Sequence, residues 1–207
     1  MPFKFIVAIG SSAGGLEPLT TFFDATPHDR ATYVILTHLP VDHKSQLQKI
    51  LQRHSRLTIV EAANNIPIEK DTVYMPPASM YMTVKDDRLF LHRRIKYAPQ
   101  PNRAVDVFLE SLAITKGKLS IAIILSGAGF DGTKGVKQIK KAGGMVIAQT
   151  IASCQFESMP KHAIATGDVD YELLPEEMPH IVLQHISSRI KTYDLIDSFK
   201  QAGEEEL

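Results

Sequence analysis

Apolar residues follow two rhythms along this chain. Four runs are nearly unbroken: FKFIVAI (3–9), ATYVILT (31–37), LSIAIIL (119–125) and GMVIAQ (144–149). Continuous Val, Ile and Leu without alternation is what strands covered on both faces require. Between the runs lie segments with helical apolar spacing, at 15–24, 43–54, 103–115, 132–142, 159–166 and 178–199. This alternation predicts an α/β fold: a doubly wound, mostly parallel sheet with helices on both faces, a Rossmann-like three-layer sandwich. From 56 to 93 the rhythm shifts to short runs bounded by Pro, Asn and Asp, with KDD reading as a hairpin turn, so a small antiparallel annex is expected there. Residues 1–199 read as a single domain and 200–207 as an acidic tail.

Composition narrows the picture without identifying a ligand. The 207 residues, 44% hydrophobic and 22% charged, suit one globular domain with a full core. With 23 basic and 23 acidic side chains the net charge is zero, so no global field favours nucleic acid or an anionic membrane surface. No apolar run is long enough to embed the chain in a bilayer, and the start MPFKF lacks the layout of a secretion signal. A single cysteine, Cys154, excludes an intrachain disulfide and a cysteine-rich zinc site, which points to the cytoplasm.

In an open parallel sheet, ligands bind beyond the carboxyl ends of the strands. Three of the loops expected there are unusual: GSSAGG (10–15), THLP (37–40) and SGAGFDG (126–132). Gly127-Ala128-Gly129-Phe130-Asp131-Gly132 satisfies G-x-G-x-x-G, but the following strand ends Ile147-Ala148-Gln149 without the acidic residue a dinucleotide needs. Asp131 would also repel a phosphate in that turn. Gly10-Ser11-Ser12-Ala13-Gly14 matches G-x-S-x-G, the strand-to-helix elbow that exposes a nucleophilic serine. The plainer reading is that Ser11 or Ser12 caps the next helix. His38 likewise reads either as a base at a strand end or as a packing residue, and Asp131 either as a site carboxylate or as the cap of the helix from 132. Cys154 reads as a loop-packed thiol rather than a nucleophile. A serine, a histidine and an aspartate after three different strands can converge on one rim, where a triad is built. The order Ser, His, Asp differs from that of α/β-hydrolases.

These loops resemble those of the chemotaxis protein-glutamate methylesterase family, specifically its catalytic domain. The likeness runs from IVAIGSSAGGLEPL through VILTHLP, VYMPPASMYM, AVDVFLESLA and IILSGAGFDGTKGVKQIKKAGGMVIAQ to ASCQFESMPKHAIATGDVDYEL. It departs at Ala13, where the family usually has Thr, at Ala128 in place of Met, at Tyr81 in place of His, and at Asn102-Arg103-Ala104 in place of Arg-Pro-Ser. The family's N-terminal receiver domain has no counterpart ahead of the first predicted strand. The chain is then either a fragment or a protein under another control, with room for a separate regulator.

The resemblance implies hydrolysis of glutamate γ-methyl esters on the cytoplasmic helices of methylated chemoreceptors, and deamidation of glutamine at the same positions. It carries over Ser12 as nucleophile, His38 as base and Asp131 as the residue that orients the base. The oxyanion would rest on backbone N–H groups at Ala13, Gly127, Ala128 and Gly129. No metal or organic cofactor is expected. The cleft is expected to be shallow, with Gly10, Gly14, Gly15, Gly127, Gly129 and Gly132 keeping the rim open for a side chain on a receptor helix. The competing reading is a non-catalytic signalling module that grips a receptor or partner through the same cleft.

Overall fold

A computed structural model describes residues 4–37, 46–94 and 102–204. The central sheet has seven parallel strands: β1 (Ile6–Ser11), β2 (Thr32–Thr37), β3 (Thr58–Glu61), β5 (Thr72–Met75), β8 (Ser120–Ile124), β9 (Met145–Gln149) and β10 (Tyr171–Leu173). Their spatial order is β10-β9-β8-β1-β2-β5-β3. Strands β4 (Ile66–Pro67), β6 (Met80–Lys85) and β7 (Arg88–Arg93) form a separate antiparallel sheet. The doubly wound α/β expectation holds. The annex is smaller than expected, however, because β3 and β5 pair in parallel with each other and β5 joins β2. Their buried faces needed the main sheet more than a local hairpin. The KDD turn is present: Asp86 and Asp87 both have positive φ, 48° and 57°, as a two-residue turn between twisted strands requires.

The helices are α1 (Leu16–Asp24), α2 (Gln46–His54), α3 (Ala104–Lys116), α4 (Thr133–Lys141), α5 (Ser158–Ile164) and α6 (Met178–Glu204). They cover both faces of the sheet, which explains the unbroken apolar runs. Along β1 and the residue before it, Phe5, Val7 and Ile9 join one core with Leu19, Phe22 and Phe23 of α1, Leu51 of α2 and Val182 of α6. Ile6 and Ala8 join the other, with Val105, Phe108 and Leu109 of α3 and Val136 of α4. Among the described residues no helix is long and apolar enough to cross a membrane.

Helices α3 and α4 approach closely because α4 carries no side chain at the crossing. A Cβ on Gly135 would lie 2.4 Å from Cβ and 2.8 Å from Cδ1 of Leu109. Alanine is the better helix former by about 1 kcal/mol, but the clash is with a side-chain root that cannot swing away. Gly135→Ala is therefore expected to cost a net of about 1–2 kcal/mol, the overpacking penalty outweighing propensity. The shift in urea midpoint at unchanged slope measures it.

Candidate active site

Strand β1 occupies the centre of the sheet. The chain leaves it for β2 on one side and returns to β8 on the other. The gap between β1 and β8 is thus the switch point, where loops diverge and a crevice opens. Ser12 follows β1 there. Its N–H donates to Ser126 O (3.1 Å), just past β8, and its carbonyl accepts Gly15 N–H (3.1 Å), closing a turn. Gly14, third in that turn, sits at φ +68°, where glycine is favoured. A Cβ there would also strike Gln155 and Phe156 within 2.9 Å.

Neither serine caps the next helix. The N-cap of α1 is Gly15, with no side-chain cap bond. Ser11 is 1% exposed, and its Oγ has no hydrogen-bond partner. Desolvating a hydroxyl without replacing its bonds costs free energy, so Ser11→Ala is expected to raise stability by about 1 kcal/mol. Chemical denaturation of the pair of proteins checks this; a loss of stability would mean the hydroxyl has a partner in solution.

Ser11 pairs in register with Thr37, the last residue of β2. His38, next in sequence, lies outside the described residues. A cavity of about 620 Å³ opens beside Ser12 between α1 and α2, lined among the described residues by Ser11, Thr37, Leu19 and Leu47 as well. The cavity reaches the buried Leu19 and Leu47.

Asp131 is 5% exposed at the end of the loop after β8. Its Oδ2 accepts Val105 N–H and its Oδ1 accepts Asp106 N–H and Gly132 N–H, each at 2.9 Å. It therefore caps α3, not primarily the helix that follows it. Asp106, from the first turn of α3, returns the contact: its Oδ1 accepts Lys134 N–H (3.0 Å) and Gly135 N–H (2.9 Å) of α4. The local N-cap residues, Arg103 and Gly132, make no side-chain cap bond. Two helices thus exchange aspartate caps, each satisfying N–H groups the other leaves open. Burial raises the Asp106 pKa, and the Asp131 carboxylate adds to the rise, while the Gly135 hydrogen bond opposes it.

The expected oxyanion donors divide. Gly127 N–H donates to Phe156 O and Gly127 O accepts Met159 N–H, both at 2.9 Å, so its N–H is engaged by the fold. A Cβ on Gly127 would fall 2.2 Å from Met159 Sδ and 3.1 Å from Ser12 Cβ. Gly127 lets the Ser12 loop and α5 meet. Ala13, Ala128 and Gly129 donate to no backbone acceptor in the turns and loops of the described residues. Most of the glycines expected to hold the rim open are instead contact points: a Cβ on Gly10 would lie 2.6 Å from Val105 Cγ1, whereas Gly129 alone of that group faces open space.

Residues that sequence reasoning passed over lace the loops together. Ser126, fully buried, has its N–H bound to Gln149 Oε1 (2.8 Å). Its Oγ lies 3.2 Å from the carbonyls of Ala13 and Phe156 and accepts Phe156 N–H at 2.9 Å. Gln149 reaches on to Ser153 O (3.0 Å). Three loops after β1, β8 and β9 are so bound into one rim. The only sequence signal was polarity at the end of an apolar strand. Burial, helped by Glu157, pushes the Cys154 thiol up to about 11, which disfavours the thiolate a nucleophile needs. Among the described residues no cluster of three His, Cys, Asp or Glu could hold a metal ion.

The chain is a doubly wound α/β domain with a serine turn at the switch point of a seven-stranded parallel sheet, laced to the loop after β8. Residues 7–191 match the sequence profile of the CheB methylesterase family, and the chain belongs to that family. It is 40% identical over 172 residues to a protein-glutamate methylesterase/protein-glutamine glutaminase of Methanosarcina mazei, covering 80% of this chain and 48% of that protein. With one from Geobacter metallireducens it shares 33% identity over 168 residues, 80% of this chain and 47% of the relative. The chain spans about half the length of the curated relatives it matches. The catalytic domain of the Thermotoga maritima CheB methylesterase superimposes with a TM-score of 0.80 at 30% identity, over 87% of this chain and 98% of that one.

Proposed function

We propose that this domain hydrolyses glutamate γ-methyl esters on chemoreceptors, and glutamine side chains at the same positions, with Ser12 as nucleophile. The observation that carries the reading is the locked elbow: Ser12 is held at the switch point by backbone bonds on both sides, beside a cavity able to take a side chain. Ser12 Oγ attacks the ester carbonyl while His38 takes its proton. The imidazolium then returns that proton to the departing methanol, and water repeats the cycle on the acyl-serine to release glutamate. Chain connectivity supports the base, since His38 is one residue beyond Thr37, the partner of Ser11 in the sheet register. Asp131 orients the imidazole from its capped position. The oxyanion rests on the N–H groups of Ala13 and, across the gap, Ala128 or Gly129. Exposed Leu16, Phe130 and Phe156 around these loops suit the apolar face of a receptor helix.

The test is incubation with methylated receptor cytoplasmic fragments, following methanol release and locating the altered residues by mass. Site-specific loss of methyl mass is expected. If neither these fragments nor a chromogenic short-chain ester is cleaved, and a serine-directed phosphonate leaves Ser12 unlabelled, the hydrolase reading fails.

A further inference from the structure

The far end of the sheet holds a second cavity, of about 210 Å³, lined by Lys140, Gly143, Gly144, Met145, Asp170, Tyr171, His185 and Arg189. It sits where β9 and β10 begin, whereas Ser12 follows the end of β1, so the length of a five-residue strand, about 16 Å, separates the two levels. Its polar groups are unevenly satisfied. Lys140 Nζ binds Asp170 Oδ1, and Asp170 Oδ2 accepts Val146 N–H (2.9 Å), so each oxygen of that carboxylate has a partner. Arg189 has no acceptor or ion-pair partner among the described residues. His185, one helical turn before it on α6 and so on the same face, stacks edge-on against Phe5 at 6.2 Å and has a buried Nε2 without a partner.

Three carbonyls beside the recess are hydrogen-bonded. Gln138, Ile139 and Lys140, at the end of α4, accept the N–H groups of Ala142, Gly144 and Gly143. Lys140 and Arg189 against Asp170 leave one surplus positive charge around a recess smaller than ordinary small-molecule pockets. We propose that this recess binds a phosphate-sized oxyanion, free or as the end group of a small phosphate monoester, with Arg189 as its principal donor and Lys140 and the His185 ring at its edge. Arg supplies a fixed fork for such an oxyanion, and the imidazole supplies a donor once protonated.

Burial, and secondarily Arg189, hold His185 below its ordinary value of 6.5, with Asp170 opposing. An anion would offset both effects. Binding and protonation of His185 are therefore coupled: affinity falls, by up to about tenfold per unit, as pH rises from the value for the free imidazole to that for the liganded one, and levels off above it. Of the charged groups lining the recess, Arg189 and Asp170 act on the ring, and Lys140 is paired with Asp170.

Sulfate, whose charge does not change across this range, is the first probe, with inorganic phosphate and phosphoserine as parallel arms. His185 ring signals followed by NMR are expected to shift saturably, and its pKa to rise on binding. Arg189→Gln should weaken binding at least about tenfold, and His185→Gln should retain binding but lose its pH dependence. Esterase activity should be unchanged in both, which separates this site from the reading of Ser12. Tighter binding of phosphoserine than of phosphate would identify a monoester as the ligand; equal binding would identify the free anion. The proposal is overturned if the ring signals do not move, or if Arg189→Gln responds like the native protein, as general salt stabilisation predicts.

Discussion

Ser12→Ala is expected to reduce receptor demethylation on the order of 10³-fold or more while leaving the fold intact. The bonds that anchor residue 12 are made by its backbone, to Ser126 O and from Gly15 N–H, and alanine keeps both. It also keeps the Cβ that packs beside Gly127. The variant should unfold at the same denaturant concentration as the native protein and lose phosphonate labelling. Methanol release at the native rate would remove Ser12 from the mechanism. The contrast with Ser11→Ala, next to it, is useful. That change should alter stability and spare the nucleophile, because one hydroxyl is buried in the fold and the other stands half-exposed at the cavity.

Asp131→Asn is expected to lose both stability and rate, for different reasons. The carboxylate meets three N–H donors with its two oxygens. An amide offers one oxygen and turns an NH₂ group toward at least one of those donors, at about 1–3 kcal/mol, and the negative charge at the start of α3 is lost as well. If Asp131 also holds the imidazole tautomer, the rate per folded molecule should fall on the order of 10²-fold or more. Asp106→Asn is the control. Both α4 N–H groups bind the same oxygen, Oδ1, so asparagine can keep them, giving up the 3.5 Å approach of Arg103 Nε to Oδ2.

The pH dependence of that control follows from linkage. The folded pKa of Asp106 is raised, so above its ordinary value of 3.8 the folded protein binds more protons than the unfolded chain, and stability falls as pH rises. Asp106→Asn lacks this loss, so its stability relative to the native protein should improve as pH rises from 3.8 through the folded pKa. Turnover by Asp106→Asn should stay close to native. A rate loss matching that of Asp131→Asn would assign both aspartates to the architecture of α3 and α4 alone.

Much of this arrangement was legible along the chain, because it is written in short-range terms. Unbroken apolar runs marked β1, β2, β8 and β9, since a strand buried on both faces has no polar side to show. Ser12 between Gly10 and Gly14 marked the elbow, and the residues after each strand marked the rim, because a parallel sheet gathers its loops at one end. The parallel pairing of β3 and β5 was not legible: four-residue runs bounded by turn residues read the same in a hairpin or a crossover, and only the partner strand decides.

What needed the folded molecule are the relations between distant residues. The aspartate exchange joins positions 25 to 29 apart, and local reading offered Asp131 only as a site carboxylate or as the cap of its own helix, the nearest set of open N–H groups. The engagement of Gly127 N–H by Phe156, and the part of Ser126 and Gln149 in tying three loops together, likewise depend on which backbone groups the packed strands leave unpaired. Glycines that looked like open space proved to be points of closest approach, because a missing side chain leaves a volume that packing fills. Residue types and their order determined the strands, the elbow and the family; the close packing of helices and loops against one sheet decided how each polar group is used.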